Sequence, residues 1–174
     1  LIASPSFMPF YPPTWLSRFF YFPYAFNIQY PLHLILTSLV MGWACRRRGL
    51  SPLASALAGL SWGFGGHLAT LAGPGHLQKL QSLTWLPMVT LGMARMAGPK
   101  PARGLAPLGF GLALQVTAGH LQIVYLTLVA GAFEALVVAG RMGRSPRLRR
   151  RFRLVFRSWL TVQGLLLAMG LSAV

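Results

Sequence analysis

The sequence predicts an all-α, polytopic integral membrane helix bundle of about six spans, preceded by an extracytoplasmic interfacial loop. Three observations predict it. First, 55% of the 174 residues are hydrophobic and 10% are charged, whereas a soluble domain carries about 25% charged residues. Second, apolar stretches long enough to cross a bilayer alternate with short connections. Third, fourteen of the sixteen Lys/Arg residues fall in three clusters: Arg46 with Arg47 and Arg48, Arg95 with Lys100 and Arg103, and the run from Arg141 to Arg157. The clusters lie on alternate connections, which is the positive-inside pattern of a chain threaded through a membrane. A formal charge of +15 would otherwise suggest a nucleic-acid partner. Charges that punctuate spans are topology markers that meet lipid headgroups instead.

Residues 1–28 form the loop. Pro5, Pro9, Pro12, Pro13 and Pro23 interrupt any long helix, and the crowded aromatics favour the membrane–water interface. Residues 14–22 read as one short interfacial helix, with Arg18 toward the headgroups. Residues 1–24 lack the basic n-region of a signal peptide. With no starting Met and an apolar stretch that stops at residue 174, the sequence reads as an internal piece of a longer membrane protein.

Residues 29–174 are the transmembrane domain. The first span, about 29–44, ends at the Arg46 cluster. Ser51 then caps the second span and Pro52 takes its first helical position. This span, about 52–71, is rich in small residues that permit close helix packing, and Gly73-Pro74-Gly75 ends it. The third span, about 80–94, is short, but Lys79 and Arg95 can snorkel at its ends. Residues 104–140 as one helix would extend about 55 Å against a hydrocarbon core of about 30 Å. Two spans, about 104–118 and 121–140, hinged near Gly119-His120, fit better. They also keep the basic connections on one side. A last span starts near Ser158 (158–174).

This topology gathers the neutral polar residues. His33, His67, His76 and His120 all map to the extracytoplasmic ends, with Asn27, Gln29, Gln78, Gln81 and Gln122 at the same level. Such groups line a polar cavity or pack against one another. Helix ends also tolerate His and Gln because water is near, and this plainer reading is preferred for His33, His76 and Gln29. His67, and His120 with Gln122, stand open between it and a binding role. Their spacing matches no usual zinc pattern, and no carboxylate or thiolate supports them there. No metal site is assigned, and no cofactor is visible. Glu134, the sole acid, lies two turns from Arg141 and reads as a structural partner for a cytoplasmic arginine. Cys45 reads as a packing residue.

With these segments in place, the chain resembles the YfhO family of bacterial membrane proteins, which look like GT-C-type glycosyltransferases. The matching residues occur in order over about residues 1–140. Leu1-Ile2-Ala3-Ser4-Pro5 through Phe10-Tyr11-Pro12-Pro13 is similar to an outer-loop pattern ending in YPP, and Leu32-His33 opens the next span. Arg48-Gly49-Leu50-Ser51 resembles an R-x-G-L-S turn, and Trp62-Gly63-Phe64-Gly65-Gly66 a Y-x-F-S-G stretch. Trp85-Leu86-Pro87 and Ala118-Gly119-His120-Leu121-Gln122 resemble W-L-P and A-G-H-x-Q.

The resemblance implies an enzyme of the bacterial cytoplasmic membrane that takes sugar from a polyprenyl-phosphate-linked donor on the outer side. Such enzymes need an acid in the first outer loop as general base or metal ligand. The chain has none there, so that loop, with any divalent metal it holds, is expected upstream of Leu1. Ser4 stands where the family often has an amide or acid. The residues expected to contact a sugar or phosphate headgroup are Tyr11, His67, His76, Gln78, His120 and Gln122, with His120 and Gln122 foremost because they explain the hinge. A transporter or flippase for a lipid-linked or small polar substrate, and a non-catalytic membrane scaffold, are the competing readings. The hinge fits the transporter, but no inverted repeat is visible.

Overall fold

A computed structural model describes residues 10–71 and 75–141. The expectations for residues 1–9, for Gly73-Pro74, for the 141–157 run beyond Arg141 and for the span at 158–174 lie outside the described residues. The described elements are all helical: a 3-10 helix Pro12–Phe19, then α1 (Phe22–Arg47), α2 (Pro52–Gly63), α3 (Gly66–Thr70), α4 (Leu77–Met96), α5 (Ala102–Thr117) and α6 (Leu121–Arg141).

Local chemistry explains most boundaries. The Ser51 hydroxyl accepts from the Ala54 amide at 3.2 Å, and Pro52 occupies the first turn of α2. Gly49, at φ 97°, makes the left-handed turn that follows α1; only glycine takes that backbone without strain. Gly119, at φ 80°, does the same between α5 and α6. Its amide donates to Val116 O at 2.9 Å while Ala118 N donates to Leu114 O at 3.1 Å. The long apolar stretch is therefore two helices, as its length requires.

Two boundaries differ from the sequence reading. α1 begins at Phe22, inside the expected loop, because Pro23 fits a helix's first turn. The second span is broken into α2 and α3 at Phe64-Gly65, where the glycine-rich run has poor helix propensity. α2 has 12 residues, about 18 Å of helix, too short by itself for a core of about 30 Å.

α4 is the central element and packs against α1, α5 and α6, while α2 packs on α1. Small residues set these seams. A Cβ on Gly59 would strike the Ser38 carbonyl, and one on Gly63 the Ser38 side chain. On the other side, a Cβ on Gly92 would lie 2.6 Å from Leu108 N. Close backbone approach is how helices associate where lipid removes the hydrophobic drive. Gly59→Ala is expected to open the α1–α2 seam and cost about 1 kcal/mol; thermal unfolding followed through Cys45 labelling measures it.

The bundle exposes many large apolar side chains and buries several polar ones beside an apolar core. Ile35, Leu39, Leu53, Leu57, Leu105, Phe110, Leu126 and Phe133 face outward, while Thr37, Gln81, Ser82, Thr84, Gln115 and Thr127 are buried. Two helices are long and apolar enough to cross a membrane, over Asn27–Arg47 and Leu121–Gly140. Only 33% and 28% of those windows are buried among the described residues. These features point to a membrane location.

Candidate functional site

The basic groups gather at one end of the bundle. Arg95 donates from Nη2 to Arg47 O at 3.1 Å, and Arg47, Arg48 and Arg103 lie close enough to act on its charge. Glu134 also lies there. Arg48 grips it in a two-pronged pair, Nε to Oε1 and Nη2 to Oε2, both 2.8 Å. Arg48 Nη2 also donates to Thr90 Oγ1 at 3.0 Å. The expected pairing of Glu134 with an arginine is present, and the arginine is Arg48, at the end of α1. Packing of α1 and α6 on α4 brings the two residues together from distant parts of the chain.

The N-terminal segment folds onto the α1–α4 seam. Trp85 Nε1 donates to Tyr11 Oη at 2.9 Å, and Tyr11 Oη lies 3.0 Å from His33 Nε2. His33 Nδ1 lies 2.7 Å from Gln29 O. One assignment of protons satisfies every contact: Nδ1–H donates to the Gln29 carbonyl, and Nε2 accepts from Tyr11 O–H. Burial pushes the Tyr11 pKa up, although the Trp85 N–H works in the opposite direction, so Tyr11 remains a donor. Gln29 Nε2 adds a bond to Pro13 O at 2.8 Å.

This network corrects the interfacial reading of His33 and Gln29, which are 0% and 3% exposed. With α1 starting at Phe22, His33 is about 16 Å, or three turns, into its helix, and the loop covers it. Tyr11 is also 0% exposed, and its hydroxyl is engaged on both sides. A second buried polar link joins α4, α5 and α6. Gln115 Nε2 donates to Ser82 O at 3.1 Å and to Thr127 Oγ1 at 2.6 Å. Thr37 and Thr84 bond at 2.6 Å between α1 and α4.

The remaining candidates lie at the end opposite the arginines. His76 is exposed and immediately precedes α4, with Gln78, half-buried and engaged in an interaction of its own, in the first turn. His120 is half-buried in the turn after Gly119, and its carbonyl accepts the first amides of α6 from Ile123 and Val124 at 3.0 and 3.3 Å. Its Nδ1 is buried without a partner. Burial, then the charge of Lys79 and more weakly that of His76, holds the His120 pKa below the usual histidine value. His76, Lys79 and His120 are therefore neighbours across the α4 start and the α5–α6 turn. His67, in α3, and Gln122, in the first turn of α6, are exposed, and neither makes a side-chain contact that joins it to His120 among the described bonds.

The sequence reading treated Lys79 only as a snorkelling end residue. Its place beside His120 follows from the α5–α6 turn folding back toward the start of α4, which no local pattern specifies. Gln115 was also missed, although an amide in the middle of an apolar span is itself a signal. Among the described residues, no three His, Cys, Asp or Glu side chains gather to hold a metal ion. No family model matches the chain, and neither does any curated protein or solved structure.

Proposed function

We propose that this chain is part of a membrane-embedded glycosyltransferase resembling the YfhO family, which transfers sugar from a polyprenyl-phosphate-linked donor on the extracytoplasmic side. In this reading α1, the α2–α3 pair, α4, α5, α6 and the 158–174 segment are six spans of the bacterial cytoplasmic membrane, with the arginine end cytoplasmic. The carrying observation is the opposite end. Lys79 and His76 lie near enough there to act on the charge of His120, with no carboxylate among them, and His120 Nδ1 has no hydrogen-bond partner. A lysine and two imidazoles with unspent N–H capacity suit the phosphate of a lipid carrier. Gln78, Gln122 and His67 supply neutral donors for the sugar around it, and Tyr11 sets the outer loop against the bundle. No catalytic acid is assigned to a residue of this chain.

His120→Ala in the full-length protein is expected to lower transfer from the lipid-linked donor about tenfold, the loss of one charge-assisted hydrogen bond, with expression intact. Unchanged transfer removes His120 from the site. The pH dependence has a definite sign. His120 must gain a proton to carry charge, and its surroundings oppose that, so donor binding strengthens as pH falls toward its depressed pKa. His120→Ala flattens this dependence.

The break between α2 and α3 favours one second reading, since discontinuous helices are a transporter trait. Scrambling of the lipid-linked substrate in proteoliposomes without a transfer product would replace the enzyme reading with that one.

A further inference from the structure

A groove of about 530 Å³ runs between α1 and α2 on the outside of the bundle, within the roughly 300–1,000 Å³ typical of small-molecule sites. Its lining is ordered by polarity. Along the helices, Arg46 and Pro52 lie at the arginine end of the groove, Trp43 and Ser55 come next, and Leu39 and Leu60 lie farthest from that end. Seven residues of α1 separate Arg46 from Leu39, about 10 Å of helix, so charge gives way to hydrocarbon-like surface over that length.

Two groups in the groove lack a counterpart in the protein. Ser55 is 1% exposed, and its hydroxyl has no hydrogen-bond partner. Arg46 is exposed, and one of its N–H groups is held by the Leu50 carbonyl. The chain's only carboxylate side chain, Glu134, is taken by Arg48, so no acid of this chain neutralises Arg46. Trp43 is fixed beside it by Arg47, whose guanidinium lies 5.7 Å from the ring centre. An unmatched cation, an orphan hydroxyl, an indole and an apolar channel, in that order, are the complement of an amphiphile with an anionic head. A free anion would leave the channel unused, and a soluble apolar ligand would leave Arg46 unmatched.

We infer that this groove binds one acidic phospholipid from the surrounding leaflet, with its phosphate on Arg46, a glycerol or ester oxygen on the Ser55 hydroxyl, and an acyl chain along Leu39 and Leu60. The inference requires α1 to lie in the bilayer; it is independent of sugar transfer. It places an anionic lipid on the face of α1 opposite the α4 seam, as a fixed ligand of the α1–α2 pair.

The full-length protein is reconstituted in phosphatidylcholine vesicles doped with either dibrominated phosphatidylglycerol or dibrominated phosphatidylcholine. Trp43 fluorescence is isolated by subtracting the Trp43→Phe variant. Brominated phosphatidylglycerol is expected to quench Trp43 more than brominated phosphatidylcholine. Arg46→Gln lowers that relative affinity about fivefold, the effect of one basic side chain at an anionic surface. Ala56→Phe, which fills the channel but leaves Arg46, removes the preference as well. Cys45 labelling checks that both variants stay folded. Equal quenching by the two lipids shows embedding without selectivity and overturns the inference. Quenching by neither means that the groove is closed to lipid and overturns it too. Relief of the phosphatidylglycerol preference by inorganic phosphate replaces the lipid with a simple anion site. Loss of sugar transfer with the lipid preference intact would strike the enzyme reading alone.

Discussion

Trp85→Ala is expected to destabilise the bundle by about 2–3 kcal/mol and to lower its thermal midpoint by roughly 5–10 °C. Trp85 is 7% exposed and packs with Tyr11, Leu114 and Ala118, with Leu36, Val40 and Met88 around them. It also meets Phe110 edge-on at 6.2 Å between ring centres. Removing the indole leaves a cavity where α1, α4, α5 and the N-terminal segment meet. In lipid the transfer part of the usual large-to-small cost falls away, because the hydrocarbon outside is as apolar as the core. The cavity part remains, and it sets the expected size. Trp85→Phe separates the two roles of the residue. The ring is largely kept, the donor to Tyr11 is lost, and the cost is about 1 kcal/mol. The sole cysteine makes the measurement simple. Cys45 is buried, so its alkylation by a maleimide dye during a thermal ramp reports unfolding. An unchanged midpoint in Trp85→Ala would show that the N-terminal segment is not held as described.

The helical class, the Ser51 cap, the turn at Gly119 and the end of α1 at the arginines are all local in origin, and each is readable from neighbouring residues. The helix break at Gly65 is local too, but it was masked by the overall hydrophobicity of 52–71. What required tertiary structure was the rank of the elements. α4 carries Gln81, Ser82, Thr84 and Thr90, which makes it the least lipid-like of the long helices and suggests a marginal span. It is the centre of the bundle for that same reason. A helix shielded by three others can place hydroxyls where Ser82, Thr84 and Thr90 each find a partner, and those bonds help hold it there. Hydropathy sees only the polarity and not the shielding.

The histidines show the same limit. A single layer of His and Gln was legible from topology, but not which members turn inward. His33 is enclosed because Tyr11, from a segment 22 residues away, reaches its ring. His120, in the turn after Gly119, is left with a buried nitrogen that has no partner. The candidate site thus shrinks from a diffuse layer to the His76, Lys79 and His120 corner. His33 and Gln29 become structural ties of the bundle, while His67 and Gln122 stay exposed.

Glu134→Ala is expected to cost about 2 kcal/mol, within the range for hydrogen bonds to charged groups. The carboxylate takes two 2.8 Å bonds from Arg48, which also reaches Thr90, so a single guanidinium joins α1, α4 and α6. The side chains are 25% and 32% exposed, which puts the pair between a surface ion pair worth at most about 1 kcal/mol and a fully buried one whose breakage costs about 3–5 kcal/mol. Two features raise it above the surface case. The fork is bidentate and fixed by Thr90, which reduces the entropy of holding it. The alternative is also poor, because an unpaired Arg48 would face Arg47 and Arg95 with no acid left in the chain. Arg48→Ala relieves that crowding as it breaks the pair, so it should cost less than Glu134→Ala. The double variant should cost less than the sum, with a coupling energy of about 1–2 kcal/mol. Salt should weaken the coupling only slightly, since the charges are in direct contact and partly shielded from ions. A coupling indistinguishable from zero in the Cys45 thermal ramp would mean that the one acid in this chain does not hold the basic ends of the helices together.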